Sequence, residues 1–393
     1  MGNPSQRFPG VFWRMCLGAL LLFLSFNMVL PELPNHLRAI GGGRYIGWIL
    51  SAFAFSALAA RPLSGWITDN LGRKCSMLGG AAFCVIAGVL YPISQVIWFF
   101  FMVRALHGFS TGFAPSGLTA FTADVVPHNR RGEAMGWQGM FSNIGSAAGY
   151  ILGAAIIAAA GVASLYYTSA LLAILAIVIF ASLPETKKEG RTKVHSLKDL
   201  FYKASWKPAV IMFCVCVPLG VVLTLMPDIT LAKGFSNKGL FLSIYVTFSL
   251  MVRIFSGKLS DRIGRTKNSL IGGGLQSIAF LLLLVDAGNA GFFCAAACYG
   301  MGQGFNAPGL FAWADDTATA ATRGRALGML FMTLEAGIIF GSLASGELIH
   351  AFPNHYGAIF SFCLFWSFMA AVLSLIFKED KHKHSAVDVP IEL

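Results

Sequence analysis

Charged residues are scarce in this sequence: they make up 12% of its 393 residues, whereas hydrophobic residues make up 56%. A soluble globular domain carries roughly 25% charged residues, so a chain this apolar cannot cover its surface with polar groups. The mean hydropathy of +0.68 agrees with this shortage. The composition therefore excludes an ordinary soluble fold and indicates that the surrounding solvent is lipid.

Motifs for catalysis and metal binding are missing as well. The sequence has no HExxH, no Walker loop and no nucleophile motif, and its eight cysteines show no zinc or haem spacing. We therefore expect no enzymatic activity, no cofactor and no metal site, and we exclude an ATP-driven pump for this chain alone. A membrane receptor is disfavoured because no extramembrane domain is evident.

Long apolar segments are what the sequence has in abundance. A helix needs about 20 apolar residues to cross the hydrocarbon core of a bilayer. Twelve segments have this character, which predicts an all-α membrane protein with twelve transmembrane helices. They are 13–33, 45–68, 76–94, 96–120, 134–158, 163–183, 207–227, 239–260, 268–286, 290–314, 326–350 and 356–377.

The lysines and arginines predict the orientation of these spans. With both termini in the cytoplasm, the cytoplasmic segments hold 22 of the 29 basic residues and the external loops hold four. We therefore expect a multi-pass protein of the inner (plasma) membrane with cytoplasmic termini. The net charge of +11 reflects this topology and not a nucleic-acid partner. The basic segment 184–206 is predicted to link six-helix units at 1–183 and 207–393.

One fourteen-residue pattern occurs twice, as RPLSGWITDNLGRK at 61–74 and as RIFSGKLSDRIGRT at 253–266. A constant offset of 192 residues relates the two copies. The same offset joins Asp124 to Asp316, RGEAMG (131–136) to RGRALG (323–328), Gly145 to Gly337 and Gly149 to Gly341. Parallel six-helix repeats of this kind are the architecture of many secondary transporters. The repeat therefore predicts two pseudo-symmetric six-helix bundles.

Three segments resemble signatures of the major facilitator superfamily, within it the twelve-helix drug:proton antiporter-like group. GWITDNLGRK (65–74) matches the loop signature in full, and RALHGFSTG (104–112) resembles the helix-4 signature with His107 in place of glutamine. GSAAGYILGA (145–154) resembles the helix-5 antiporter signature, although Tyr150 replaces its proline. The resemblance covers nearly the whole chain. It implies proton-driven transport of a small molecule by alternating access.

The repeated loop pattern predicts a cytoplasmic gate. Asp69 ends its helix, where a carboxylate can meet the positive N-terminal end of a helix from the other half. Arg73 can pair with Asp124, and their repeat partners can do the same. We expect Gly65 and Gly257 to let neighbouring helices approach closely. The predicted gate residues are Arg61, Gly65, Asp69, Arg73, Asp124, Arg253, Gly257, Asp261, Arg265 and Asp316.

Ionisable side chains deep in the spans are candidates for proton coupling, because such groups are costly in a membrane and usually face a cavity. Glu335 lies ten residues past Arg325, at which helix 11 begins, and is therefore about 15 Å deep. Arg104 lies about as deep in helix 4, with His107 on the same face. The resemblance implies a coupling role for Arg104. We expect Arg104 or His107 to be the cation that faces Glu335.

Other polar residues of the spans are predicted to line the substrate cavity. These are Asn27, Glu32, Asn143, Asp228, Gln303 and Asn306. Three arginines, Arg61, Arg104 and Arg253, lie firmly within the spans, against one acid, Glu335. This balance of charge favours an amphiphilic organic anion or zwitterion as substrate. We expect a monomeric, proton-coupled exporter. A proton-coupled importer and a sugar or metallophore carrier remain alternatives, and so does coupling to sodium in place of protons.

Overall fold

The computed structural model describes residues 8–127, 130–186, 202–318, 322–352 and 356–379. Within these residues the chain forms twelve long helices, and each overlaps one predicted span. They are α1 Gly10–Val29, α2 Ile46–Asn70, α3 Arg73–Leu90, α4 Ile97–Val125, α5 Arg131–Ala160, α6 Val162–Ala181, α7 Trp206–Ala232, α8 Leu240–Ile263, α9 Arg265–Leu284, α10 Gly288–Asp316, α11 Arg323–Ala351 and α12 Tyr356–Ile376. The prediction of an all-α membrane protein with twelve helices is confirmed.

Length and apolarity support the membrane assignment for most of these helices. Ten of them are long and apolar enough to cross a bilayer, within the residues described. The two exceptions are α4 and α10, which carry Arg104 and His107, and Gln303 and Asn306, respectively. Both helices lie between other helices, where polar side chains can be satisfied by the protein. A membrane helix that is buried in a bundle needs less lipid-facing apolar surface.

The helices form two bundles with the same internal arrangement. In the first bundle α1 packs on α5 and α6, and α3 packs on α4 and α6; in the second, α7 packs on α11 and α12, and α9 packs on α10 and α12. The bundles meet through two equivalent interfaces, α2 with α11 and α5 with α8. The boundaries predicted at 183 and 207 stay a prediction, because most of the linker (187–201) lies outside the described residues.

Two sharp turns connect the repeated helices. Gly72 between α2 and α3 has φ of +132°, and Gly264 between α8 and α9 has φ of +99°, which side-chain-bearing residues rarely adopt. Each following helix has its first amide groups capped by a glutamate, Glu185 in the first bundle and Glu379 in the second. We call the end of the molecule with these turns the repeat-loop end. The opposite end, with the short helix Leu33–Ala39, is the far end.

Glycines of the helix-5 signature bring α5 against α1. A methyl group added at Gly145 would collide with the backbone of Leu20, and one at Gly149 would meet the backbone of Leu24 at 2.7 Å. Small residues allow this approach, which supplies van der Waals contact where lipid provides no hydrophobic driving force between helices. The repeat reproduces the arrangement, because Gly337 of α11 packs in the same way against α7.

The bundles are held together in the far half of their interfaces. The Oγ of Ser51 in α2 donates to the carbonyl of Ile339 in α11 at 3.2 Å, and the Oγ of Ser243 in α8 donates to the carbonyl of Ala147 in α5 at 2.9 Å. Towards the repeat-loop end the same helices are open, because added methyl groups at glycines of α2, α5 and α8 would meet nothing within 4 Å. These glycines are Gly65, Gly132, Gly136, Gly139 and Gly257.

Candidate functional site

Glu335 forms an ion pair between the two bundles, at mid-depth in α11. Its Oε1 lies 2.9 Å from Nη2 of Arg61 in α2, and the side chain of Glu335 is 9% exposed. The Arg61 guanidinium also stacks on the ring of Phe331, with 4.3 Å from Cζ to the ring centroid. The expectation that Arg104 or His107 would be this cation is therefore wrong. Arg61, one of the predicted gate residues, holds this position instead.

Arg104 and His107 form a separate buried cluster inside the first bundle. Arg104 donates from Nε to the carbonyl of Ile49 at 3.0 Å, and its guanidinium stacks on Phe53 at 4.3 Å. His107 Nδ1 lies 3.2 Å from the Tyr91 hydroxyl and 3.4 Å from Nη1 of Arg104. Nη2 of Arg104 and Nε2 of His107 are buried and have no hydrogen-bond partner among the described residues. The cluster therefore retains two unused polar atoms next to the bundle interface.

The predicted cavity residues near mid-depth differ in their surroundings. Asn27 is buried and donates to Ser146 Oγ at 3.0 Å, which ties α1 to α5. Asn143 is half-buried on α5. Gln303 donates to the Tyr299 hydroxyl at 3.0 Å within α10.

Asn306 is a correction to the cavity prediction. It is fully buried, and its Oδ1 accepts from Ser269 Oγ of α9 at 3.0 Å. A methyl group added at Gly272, also in α9, would meet its amide. Asn306 therefore lies in the packing between two helices of one bundle and not in an open cavity, because close helix approach at a glycine leaves no room there.

Glu32 and Asp228 lie at the far end, where each forms an ion pair with the other bundle. Glu32 binds Lys238, and Asp228 binds Arg38, with 3.1 Å between Nη1 and Oδ1 in the second case. Both carboxylates are bound by these cations in this conformation, and their assignment to the substrate cavity stays a prediction. The cation belongs to the first bundle in one pair and to the second bundle in the other, so the two pairs have opposite polarity. Together they close the far end.

The predicted gate pairs lie within each bundle at the repeat-loop end. Arg73 Nε is 2.9 Å from Asp124 Oδ2, and Nη1 is 3.3 Å from Asp69 Oδ1. The second bundle repeats this triad with Arg265, whose Nε is 2.8 Å from Asp316 Oδ2 and which also binds Asp261.

Two parts of the gate prediction differ from the structure. No close helix approach is found at Gly65 or Gly257, since an added methyl group would meet nothing within 4 Å at either position. The two bundles are apart at this end, which is the physical reason. Arg253 is exposed on α8 and makes no ion pair or hydrogen bond with residues that the structure describes.

Sequence reasoning missed several residues that the structure places in these sites. Lys238 and Arg38 are two of the four basic residues of the predicted external loops, and nothing in the sequence indicates that they lie beside Glu32 and Asp228. Nothing in the sequence distinguishes Phe331 from the other phenylalanines, of which the chain has 34 in all. Glu185 could have been found, because PETK (184–187) follows the sixth helix and KEDK (378–381) follows the twelfth. No group of three or more metal-ligating side chains occurs in the part of the chain described.

Comparisons with known proteins agree with this architecture. The sequence matches the model of the Major Facilitator Superfamily over residues 15–236 and 208–391. It is 29% identical over 293 residues to the multidrug resistance protein MdtG of Escherichia coli O81 (strain ED1a), which covers 67% of this chain and 71% of that protein. It is 26% identical over 235 residues to the quinolone resistance protein NorA of Staphylococcus aureus (strain MRSA252), covering 57% and 60%.

Solved structures share the fold. The nucleoside transporter NupG superposes with a TM-score of 0.78 at 15% identity, covering 94% of this chain and 100% of that chain. A D-xylose-proton symporter superposes with a TM-score of 0.72 at 15% identity, covering 93% and 96%. At sequence identities this low, the superpositions show a shared fold and nothing about function. The family match, in contrast, spans most of the sequence, and this chain therefore belongs to the Major Facilitator Superfamily of membrane transporters.

Proposed function

We propose that this chain is a proton-coupled secondary active transporter that exports a small amphiphilic organic anion or zwitterion. Similarity to MdtG and NorA, which are named for multidrug and quinolone resistance, supports export. The distribution of basic residues supports an inner-membrane protein with cytoplasmic termini. The repeat-loop end is then cytoplasmic and the far end external. We propose a monomer with boundaries at 183 and 207.

The observation that carries this proposal is the ion pair between Glu335 and Arg61. It joins α11 to α2 across the bundle interface at mid-depth, with 2.9 Å between the charged atoms. Protonation of Glu335 removes the charge that attracts Arg61, and therefore weakens one bond between the bundles. Because the bundles must move relative to each other during alternating access, the proton on Glu335 and the conformation are linked. This linkage is what proton coupling requires.

The triads at the repeat-loop end complete the proposed cycle. In this conformation Arg73 and Arg265 bind carboxylates of their own bundle, and the far end is shut. In the opposite conformation we propose that the repeat-loop ends come together and that Asp69 meets a helix end of the other bundle. Asp69, Arg73, Asp124 and their repeat counterparts then act as a latch that forms only when the far end opens. Arg104 and His107 are proposed to take part in proton transfer.

Transport by the purified full-length chain in liposomes tests the proposal, with the fluorescent zwitterionic quinolone norfloxacin as the probe. Glu335→Gln mimics the protonated carboxyl permanently. We expect this variant to exchange norfloxacin by counterflow without a pH gradient and to lose accumulation driven by a gradient. Glu347→Gln is the matched control, because Glu347 lies on the same helix but is exposed near the far end.

The sign of the gradient separates the alternatives. An antiporter accumulates norfloxacin in liposomes with an acidic interior, whereas a proton-coupled importer accumulates it when the exterior is acidic. Accumulation that follows a sodium gradient and ignores pH would contradict proton coupling. Gradient-driven accumulation at the wild-type level in Glu335→Gln would show that Glu335 is not the coupling group.

A further inference from the structure

The two interfaces between the bundles are equivalent in backbone geometry. Ser51 of α2 donates to the carbonyl of Ile339 in α11, and Ser243 of α8 donates to that of Ala147 in α5. Ser243 follows Ser51 by 192 residues, and Ile339 follows Ala147 by the same number. The repeat therefore maps α2 onto α8 and α11 onto α5. A side chain that crosses one interface has a defined counterpart at the other.

The side chains at the first interface give an intramembrane arginine two partners. Arg61 has a carboxylate partner, Glu335 at 2.9 Å, and an aromatic partner, Phe331 at 4.3 Å. Both partners lie on α11, four residues apart and so one turn from each other. A guanidinium that leaves water requires such partners, because an uncompensated charge in a membrane interior is costly.

The second interface keeps the arginine and lacks both partners. Arg253 corresponds to Arg61, but Asn143 stands where the repeat has Glu335, and Gly139 stands where it has Phe331. The amide of Asn143 donates to the carbonyl of Gly139 in its own helix at 2.7 Å, and a methyl group added at Gly139 would meet nothing within 4 Å. Arg253 makes no ion pair with the residues that the structure describes.

Helix geometry directs Arg253 towards α5. It follows Val246 of α8 by seven residues and Gly239, the residue just before α8, by fourteen, so all three lie along one side of this segment. A methyl group added at Gly239 would collide with the backbone of Tyr150 in α5, and Val246 is buried. Arg253 continues along this side at the depth where the helices part. Its exposure is therefore to the gap between the bundles.

The distances along the helices are the same at both interfaces. Arg61 lies ten residues past Ser51 and reaches Glu335, which lies four residues before Ile339. Arg253 likewise lies ten residues past Ser243, and Asn143 lies four residues before Ala147. Arg61 is long enough to reach Glu335 in α11. An arginine at position 253 is therefore long enough to reach the corresponding residue of α5, Asn143.

We propose that Arg253 binds the carboxylate of an aromatic substrate in the gap between α5 and α8. This inference rests on the transport function proposed above and adds the substrate class and the residue that selects it. The substrate carboxylate takes the place that Glu335 has opposite Arg61, and the substrate ring takes the place of Phe331 beside Asn143 and Gly139. A guanidinium offers paired donors to a carboxylate and a cationic face to an aromatic ring.

Binding of tritium-labelled 2-naphthoate to the purified full-length chain in nanodiscs tests this site, with neutral 2-naphthamide as the matched ligand. We expect the wild-type protein to prefer the carboxylate by at least about tenfold, and Arg253→Gln to lose that preference. Lys258→Gln removes an exposed charge five residues further along α8 and should keep the preference for the carboxylate. The proposal is overturned if the wild-type protein does not bind 2-naphthoate, or if Arg253→Gln keeps the wild-type preference for the carboxylate.

A second measurement needs no ligand. Asn143→Asp places a carboxylate opposite Arg253 and makes the second interface resemble the first. We expect this change to raise Tm in the wild-type background and not in Arg253→Gln, and to compete with 2-naphthoate. Equal effects of Asn143→Asp in both backgrounds would overturn the placement of residue 143 opposite Arg253. Neither measurement uses a pH gradient, so a failure of proton coupling would leave both results unaffected.

Discussion

Two ion pairs of opposite polarity close the far end, and their removal should change the conformational equilibrium unequally. Arg38 in the first bundle binds Asp228 in the second, whereas Lys238 in the second bundle binds Glu32 in the first. Both pairs must break for the far end to open. We predict that Lys238→Gln favours the far-end-open conformation much more strongly than Arg38→Gln does.

Exposure determines the difference in magnitude. The Arg38 side chain is 40% exposed and its partner Asp228 is 13% exposed, so solvent screens this pair from the arginine side and we take its worth as about 0.2–1 kcal/mol, as for other surface ion pairs. Lys238 and Glu32 are only 13% and 9% exposed, and the loss of one partner from a buried pair costs about 3–5 kcal/mol.

Opening of the far end hydrates the orphaned carboxylate of Glu32 and removes that cost. Because 1.4 kcal/mol is tenfold, Arg38→Gln should shift the populations by no more than about fivefold and Lys238→Gln by about a hundredfold or more.

Distances between spin labels report the populations. Gln95 lies in the α3–α4 loop of the first bundle and Asn289 in the first turn of α10 of the second, and both are exposed at the far end. Cysteines at these positions can be labelled once the native exposed cysteines, Cys75 and Cys294, are replaced. Pulsed electron paramagnetic resonance then gives the short-distance and long-distance fractions. We expect the long-distance fraction to dominate in Lys238→Gln.

Lys233→Gln is the matched control for this experiment. Lys233 also forms an ion pair near the far end, but its partner Asp286 belongs to the same bundle. The substitution therefore removes a lysine without removing a bond between bundles, and the distances should stay as in the wild-type protein. Equal distance distributions in Lys238→Gln and Lys233→Gln would refute the role of the pair between Lys238 and Glu32.

Two further predictions use matched positions in the chain. Gly145→Ala should destabilise the protein by about 1–3 kcal/mol, because the added methyl group collides with the α1 backbone, whereas Gly136→Ala in the open part of the same helix should not lower Tm in thermal denaturation. Asp124→Asn should reduce norfloxacin transport and Tm more than Asp316→Asn, because the first carboxylate is 9% exposed and the second is 45% exposed. The reverse order would contradict the assignment of the stronger triad to the first bundle.

The fold could be predicted from the sequence because its signals are redundant. Twelve apolar segments, a bias of basic residues and a repeat at a constant offset each indicate the same architecture. The ends of the helices were less well predicted, as at α1, where the chain leaves the α-helix after Val29 in a turn that contains Pro31. Apolar composition continues through this turn, so hydropathy alone does not show the break.

The pairs within one bundle were also accessible to sequence reasoning, because the repeat shows each twice. Arg73 with Asp124 and Arg265 with Asp316 follow from matching positions at helix ends. The contacts between bundles were not accessible in the same way. They depend on how far the two halves have rotated, and no residue spacing within one half contains that information. The sequence therefore predicts Arg61 as a gate residue and does not indicate its ion pair with Glu335.

Departures from the repeat carry more functional information than agreement with it. Positions that agree, such as Gly145 with Gly337 and Ser51 with Ser243, pack helices or hold the interfaces, and both bundles need them equally. Where the copies differ, one bundle has a charged side chain that the other lacks. Glu335 in the second bundle corresponds to Asn143 in the first, although both copies keep the arginine, Arg61 or Arg253. Glu335 opposite Arg61 is an internal carboxylate that a proton can neutralise. At the equivalent place beside Arg253 the carboxylate is missing, and we propose that an anionic substrate restores the balance of charge.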